Sequence, residues 1–391
     1  MEVKQIYELM NSVSSEVLGK SDIIQEDLTG VVDMGTQVLN ANAMDNYVKS
    51  LVNHIGKVVF VNRPYAGKIP SVLMDAWQFG SVLEKVSADI PEAQENDTWD
   101  LTDKAEYKQD IFYKPSVSAK FFNSKVTFEV PISITERQVK ESFSSAGQLN
   151  GFLSMIYNAV EKSMTIKTDA LIMRTIDNMI AETLNADATS FTPASGTLDY
   201  SSTSTTRCVN LLYLYNQKFG KTLSANEALT EPEFIRFASY IMGMYADRLG
   251  SISTLFNVGG KDRFTSRENL HLVLLTDFAK AADAYLYSDI YHNEFVRLPK
   301  YESVPYWQAS GLKYDFADTG KIDVITSTGN TVSATGVLGV MFDRDALGVT
   351  NLDRRVTSNY NAKAEFFNNY YKFDAGYFND TNENFVVFFA A

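Results

Sequence analysis

Cysteine is almost absent. Cys208 stands alone among 391 residues, so no intrachain disulfide and no cysteine-rich metal site is available. Histidine is nearly as scarce: His54, His271 and His292 lie in separate segments without metal-ligand spacing. Basic residues are outnumbered, with 35 Lys and Arg against 48 Asp and Glu and a formal net charge of −13. That balance argues against nucleic-acid binding by phosphate neutralisation, which needs clustered cations. It fits a soluble protein that repels DNA at a distance. The N-terminus, MEVKQIYELM, has no basic region followed by an apolar run, so no secretion signal is expected and the chain reads as cytoplasmic. Without such a signal, the glycosylation patterns at Asn96-Asp97-Thr98 and Asn379-Asp380-Thr381 read as chance.

Aromatic residues are plentiful, at 25 Phe, 21 Tyr and 3 Trp, and they cluster late, from Phe366 and Phe367 to Tyr377 and Phe378. Such rings fill a core or a subunit interface, and both uses stay open. The length allows two or three domains or one elongated one, and the 45% apolar share supports a real core.

One stretch organises the rest. Over residues 149–184 apolar side chains recur near a helical period, from Leu149, Phe152 and Leu153 to Ile176, Ile180 and Leu184. No Pro or Gly interrupts it after Gly151. Charged residues such as Glu161, Arg174 and Asp177 are expected mostly off the apolar face. A single helix here would be about 54 Å long. The alternative is two helices broken near Thr165 and Ile166. Either is too polar to cross a membrane.

Upstream, residues 2–18 predict a helix with a narrow stripe of Val3, Ile6, Met10, Val13 and Val17, stopped by Gly19. A helix with one apolar face must pack on something, a neighbouring subunit included. A second helix is expected over 43–55, a strand over 58–61 and a brief helix over 71–79. Strand character at 81–88 gives way to PEAQENDTWDLTDKAEYKQD, too polar to form a core, and returns at Ile111. Together these predict a two-stranded arm with a long polar tip, or else a surface loop on an ordinary sheet. From Lys125, alternation of Val126, Phe128, Val130, Ile132 and Ile134 with polar residues predicts a half-buried strand, and Pro131 places it at an edge. A short helix over 135–143 would lead into the long one.

Beyond a loop at 185–205, helix 206–218 is expected. Thr230-Glu231-Pro232-Glu233 matches a capping box ahead of Phe234, Phe237, Ala238, Ile241, Tyr245 and Leu249. Leu270–Leu275 reads as a buried strand, followed by a helix capped by Thr276. The alternation predicts a compact α/β domain over about 206–335. The end is strand-rich, with candidates at 321–327, 335–342, 354–360, 366–373 and 385–389, whose side chains would cover the long helix.

No residue set makes a convincing active site. His271 lies in an apolar strand and reads as structural. Gly259-Gly260-Lys261 lacks the glycine spacing and the hydroxyl residue of a phosphate loop. Cys208 is expected buried on helix 206–218 rather than reactive. Asp343 and Asp345 flank Arg344 at a strand end, where both carboxylates would face one way. They could serve as a glycosidase pair or half a metal site, against local ion pairing with Arg344, Arg354 or Arg355. Asp277, Asp283 and Asp289 read as helix-surface charges. No catalytic residue, cofactor or metal is expected.

The order of elements carries more than any chemical motif. Phe128-Glu129-Val130-Pro131-Ile132-Ser133-Ile134 runs into the long helix, Gly339-Val340-Met341-Phe342-Asp343-Arg344-Asp345-Ala346-Leu347-Gly348 comes near the end, and Arg354–Phe389 supplies closing strands. In this order the chain resembles the major capsid proteins of tailed double-stranded DNA bacteriophages, of the HK97-like fold. The resemblance covers essentially the whole chain with loose motifs. It implies an α+β fold with an N-terminal arm at 1–60, an extended β-hairpin loop region at 61–130, a peripheral domain with the spine helix at 131–190, an axial domain at 191–335 and closing peripheral strands at 336–391. It further implies hexamers and pentamers of this chain around packed DNA, with a portal at one vertex. Helix 2–18 is too short to be a built-in scaffolding segment, so a separate scaffolding protein is expected. Expected assembly contacts are Ile6, Met10, Val13 and Val17 on the first helix and Trp99 at the arm tip. An encapsulin-like compartment shell and a soluble glycan-active enzyme or glycan-binding module with an acidic aromatic cleft are the alternatives.

Overall fold

The computed structural model describes residues 11, 15–16, 69–74, 83–91, 93, 95–107, 110, 112–135, 146–192, 199–286, 300–308 and 316–391. The stripe of Ile6, Met10, Val13 and Val17, the expected elements at 43–55 and 58–61, residues 136–143 of the expected helix 135–143, and His54, Asp289 and His292 lie outside them; Thr135 itself ends a strand.

A 3₁₀ turn, Pro70–Val72, leads into β1 (Leu73–Met74), so 71–74 is not part of the brief helix expected over 71–79, whose remaining residues lie outside the described ones. Next come β2 (Leu83–Ala88), β3 (Val117–Phe122) and β4 (Lys125–Thr135). Helix α1 spans Ala146–Ala186, followed by β5 (Cys208–Asn210), α2 (Leu211–Phe219), α3 (Ala225–Ala228) and α4 (Pro232–Leu249). Then come β6 (Leu270–Leu275), α5 (Thr276–Leu286), β7 (Glu302–Val304) and α6 (Phe316–Thr319). The chain closes with β8 (Ile322–Ile325), β9 (Thr331–Ala334), β10 (Val337–Asp343), β11 (Leu347–Asn361), β12 (Phe366–Asn379) and β13 (Phe385–Phe389).

These elements fall into two compact units. Described residues of the first are 11, 15–16, 69–74, 125–135, 146–172 and 349–376; the second takes 83–124, 173–348 and 377–391 where described.

The first unit holds a four-stranded sheet in the order β1-β11-β12-β4. β4 pairs antiparallel with β12 from Phe366↔Thr135 to Gly376↔Lys125. Its burial alternates as expected, and it lies at the sheet edge, the position in a sheet where proline is tolerated. Phe128 packs on Phe373 across the pair, with ring centroids 4.9 Å apart.

The second unit is built on a five-stranded mixed sheet, β5-β13-β10-β6-β7. β10 pairs antiparallel with both β13 and β6, while β13–β5 and β6–β7 are parallel. The central runs VLGVMFD and FVVFF are buried throughout, so they read as continuous apolar stretches without alternation. Helices α4 and α5 pack on one another, α5 on β6 and β7, and α2 on β13. Strands from beyond residue 335 thus sit beside those of the 206–335 segment. The core is aromatic: Tyr245 meets Phe388 edge-on at 5.4 Å and Phe342 stacks on Phe385 at 5.7 Å.

Helix α1 is one element of 41 residues, with no break at Thr165-Ile166. The Thr165 and Thr168 hydroxyls donate to the carbonyls of Glu161 and Met164 one turn back, so they stay inside the helix. The apolar face differs from the expected one. Ala159, Ile166 and Ala170 are exposed, and Asp177 is buried, because residues 171–184 are covered on nearly every side.

Asp177 is only 2% exposed, and its Oδ1 has no hydrogen-bond partner among the described residues. Burial pushes its carboxyl well above the ordinary value of 3.8. A carboxyl whose pKa is raised on folding favours the folded state when protonated. Its penalty therefore grows as pH rises above the unfolded value and levels off above the folded one. Asp177→Asn is expected to stabilise the chain at pH 7 by about 1–3 kcal/mol, with the gain shrinking toward pH 4. Denaturant midpoints measured across that range check this; equal midpoints at pH 7 contradict it.

Two local readings need correction. Cys208 lies on a strand rather than a helix; it is buried at the sheet edge, and burial pushes its thiol far up, so it is an inert core residue. The capping box sits one element earlier than expected. Ser224 and Glu227 cap α3, whereas α4 begins with Glu231 at its N-cap, no side-chain cap, and Pro232 in its first turn.

Candidate assembly site

The polar stretch after residue 88 is the tip of a hairpin. β2 and β3 pair antiparallel, with Ser87 opposite Ser118 and Lys85 opposite Lys120. The partner of the expected strand at 81–88 is therefore 117–122, while 125–135 belongs to the other unit. Beyond the pair, the Asp89 N–H donates to the Ser116 carbonyl at 2.9 Å and the Ser116 hydroxyl to the Asp89 carboxylate at 2.7 Å.

The tip then folds through local bonds. Asn96 Oδ1 accepts from the N–H and the hydroxyl of Thr98 at a single 3₁₀ turn, and the Thr102 N–H donates to the Tyr107 hydroxyl at 3.0 Å. Side chains that would normally seek a core are left in solvent. Trp99 is 99% exposed, Phe112 87% and Tyr113 70%, with Leu101 and Ile90 also outward. Single exposed apolar residues are ordinary, but a run of large rings on one arm marks a contact surface. The sequence singles out Trp99; Phe112 and Tyr113 add to it.

The root of the hairpin is charged and partly buried. Lys85 Nζ donates to Asp380 at 2.8 Å, to Glu383 at 3.1 Å and to the Asp345 carbonyl at 2.9 Å. Lys120 reaches the other oxygen of Asp380 at 3.0 Å, Arg263 pairs with Glu383 at 3.2 Å and Lys261 with Asp89 at 2.8 Å. Lys85, Lys120, Arg263, Asp380 and Glu383 line a cavity of about 430 Å³. Burial alone would raise the Asp380 carboxyl, but the hydrogen bonds and charge of Lys85, with Lys120, outweigh it and hold the group below 3.8. Phe122 packs on Phe378 at 5.2 Å beside this cluster.

The residues weighed for chemistry do not converge. Asp343 ends β10 and is buried, while Asp345 lies on the exposed side of the turn that follows. The expectation that both face one way fails because the strand stops at Asp343, whose Oδ1 accepts the Asp345 N–H at 2.9 Å. Burial raises the Asp343 carboxyl, and hydrogen bonds from the Asp345 N–H and from Thr265 partly offset the rise. Arg355 pairs instead with Asp353 and Asp374. His271 packs on Phe342 with centroids 5.7 Å apart, and burial lowers its pKa. Asp277 accepts from the Thr319 hydroxyl at 2.7 Å and Asp283 from Lys280 and Tyr301 at 3.2 Å. Among the described residues no group of three His, Cys, Asp or Glu side chains is placed to hold a metal ion, and no helix is long and apolar enough to cross a membrane.

A long helix, a solvent-exposed hairpin and a mixed sheet that gathers the C-terminal strands make an α+β architecture. The family model for the Phi29-like phage major capsid protein matches residues 9–389, and the chain belongs to that family. The major capsid protein of Bacillus phage B103 is 22% identical over 187 residues, 46% of this chain; the chain spans about two-fifths of that curated relative's length, 40%. Among solved structures, the capsid of Staphylococcus phage Andhra aligns over 84% of this chain and 86% of its own, at 10% identity and a TM-score of 0.49. That of Cyanophage P-SCSP1u aligns over 85% and 90%, at 12% identity and 0.46.

Proposed function

We propose that this chain is the structural subunit of an icosahedral phage head shell that encloses double-stranded DNA. The observation that carries the reading, beside family membership, is the hairpin β2–β3, whose tip bears Trp99, Phe112 and Tyr113 in solvent. A lone subunit gains nothing from such rings. A shell subunit uses them to overlap its neighbour, adding contact area without enlarging its core. The net charge of −13 suits an inner wall that holds DNA without adhering to it.

In this reading residues 1–60 form the N-terminal arm and 61–130 the extended-loop region. Residues 131–190 and 336–391 form the peripheral domain with α1 as its spine, and 191–335 the axial domain, which meets its copies around five-fold and six-fold axes. Partners are further copies as hexamers and pentamers, a separate scaffolding protein, and a portal at one vertex, with assembly in the host cytoplasm. The chain acts without catalysis. Alanine at Asp343 or Asp345 is expected to change folding or shell stability alone; glycan turnover lost on either change while the fold persists would reverse this. The function itself is tested by expressing the full chain with its scaffold and imaging the products. Closed shells are expected, and a chain that stays monomeric under those conditions contradicts the reading.

A further inference from the structure

The hairpin register sets two lysines face to face. Lys85 and Lys120 are direct cross-strand partners, an arrangement that weakens a two-stranded sheet when nothing lies between the charges. Here something does. Asp380, on the turn between β12 and β13, offers one carboxylate oxygen to each lysine, at 2.8 and 3.0 Å. Its side chain is 4% exposed, and its own turn holds it: Oδ1 also accepts the Asn382 N–H at 3.1 Å, and the Asp380 N–H donates to the Ala346 carbonyl at 2.7 Å. Glu383 adds a second anion to Lys85 and ties it to Arg263.

We infer that Asp380 is the positioning residue of the arm: by clamping Lys85 and Lys120 it fixes the direction in which the hairpin leaves the body, and so where its tip meets a second copy of this chain. The inference rests on the reading of the hairpin as an overlapping arm. A hairpin of two short strands with a polar tip has little rigidity of its own. Without the anion its two strands repel at their midpoint, so orientation and internal pairing are lost together. Because the clamp is partly buried, salt screens it less than an exposed pair.

Asp380→Asn keeps the oxygen that accepts the Asn382 N–H and removes the charge. In the full chain before assembly, amide hydrogen exchange at 83–88 and 117–122 is expected to rise at least tenfold, with β6 and β10 unchanged, and shell yield to fall several-fold. The charge arrangement gives a signature that a merely structural role lacks. Lys120→Gln should loosen the hairpin in the natural chain but tighten it in the Asp380→Asn background, where it removes a repulsion. Exchange within twofold of the natural chain in Asp380→Asn, or a Lys120→Gln effect of the same sign in both backgrounds, overturns the clamp. Should Asp380→Asn not fold, Lys120→Gln alone carries the test at a side chain 40% exposed: a several-fold rise in exchange supports the clamp, and no change overturns it. Trp99→Ala separates the two ideas. If it blocks shells while Asp380→Asn leaves exchange unchanged, the clamp is wrong and the arm reading stands. If Asp380→Asn loosens the hairpin but neither variant lowers shell yield, the clamp stands and the arm reading fails.

Discussion

Deleting residues 91–110 is expected to leave a folded subunit that assembles poorly. The tip's own bonds are local, such as those of Asn96 with Thr98 and Thr102 with Tyr107, and Trp99 is almost wholly in solvent, so the core loses nothing when the segment goes. In a shell the same segment would bury its rings on a neighbour. Covering a ring of that size contributes roughly 1.5–3 kcal/mol, and a closed particle repeats the contact at every subunit. The thermal midpoint of the unassembled chain should therefore stay within a few degrees of the natural one, while shells become rare or heat-labile. Trp99→Ala should move shell stability the same way by a smaller amount. Shells of the deletion variant with unchanged thermal stability would falsify the arm assignment.

Gly336→Ala is expected to have the largest effect on the subunit itself. Gly336 turns the chain between β9 and β10 at φ 75°, and its carbonyl accepts the Ala390 N–H at 2.8 Å. A methyl there would lie 2.1 Å from the Ala390 carbonyl oxygen. The left-handed backbone costs about 1–2 kcal/mol for any other residue, and the clash with main chain forces the end of β13 out of place at a further 1–3 kcal/mol or so. A loss of about 3 kcal/mol lowers the melting midpoint by roughly 6–12 °C in a domain of this size. Gly329→Ala is the matched control. It shares a positive φ of 83° but has open space around it, so only the conformational cost of about 1–2 kcal/mol applies. Equal melting shifts for the two variants would contradict the account of Gly336.

What the sequence revealed follows from which interactions are local. The period of α1 and the alternation of β4 are set by residues a few positions apart, and both are readable, down to the edge position of Pro131. The helix over 206–218 was misjudged at its start because β5 exists only by pairing in parallel with β13, 179 positions away (Val387 opposite Cys208). Asp177 looked like a surface charge because its burial is decided by what covers α1, which no helical period reports. The clamp at Asp380 joins Lys85 and Lys120 to a turn about 260–295 residues later, and neither lysine differs in sequence from any solvated one. The exposed rings at Phe112 and Tyr113 were hidden by the opposite effect: in a sequence rich in aromatics, those in solvent look the same as those in a core.

The measurement that bears most directly on the account is an electron cryomicroscopy reconstruction of the particles that the full chain forms with its scaffold. The prediction is a closed icosahedral shell in which the 91–110 segment of each subunit lies on an adjacent one, with Trp99 covered, while Lys85 and Lys120 remain on Asp380 of their own chain. A reconstruction in which that segment touches its own subunit alone, or a chain that yields no particles and stays monomeric, would contradict it.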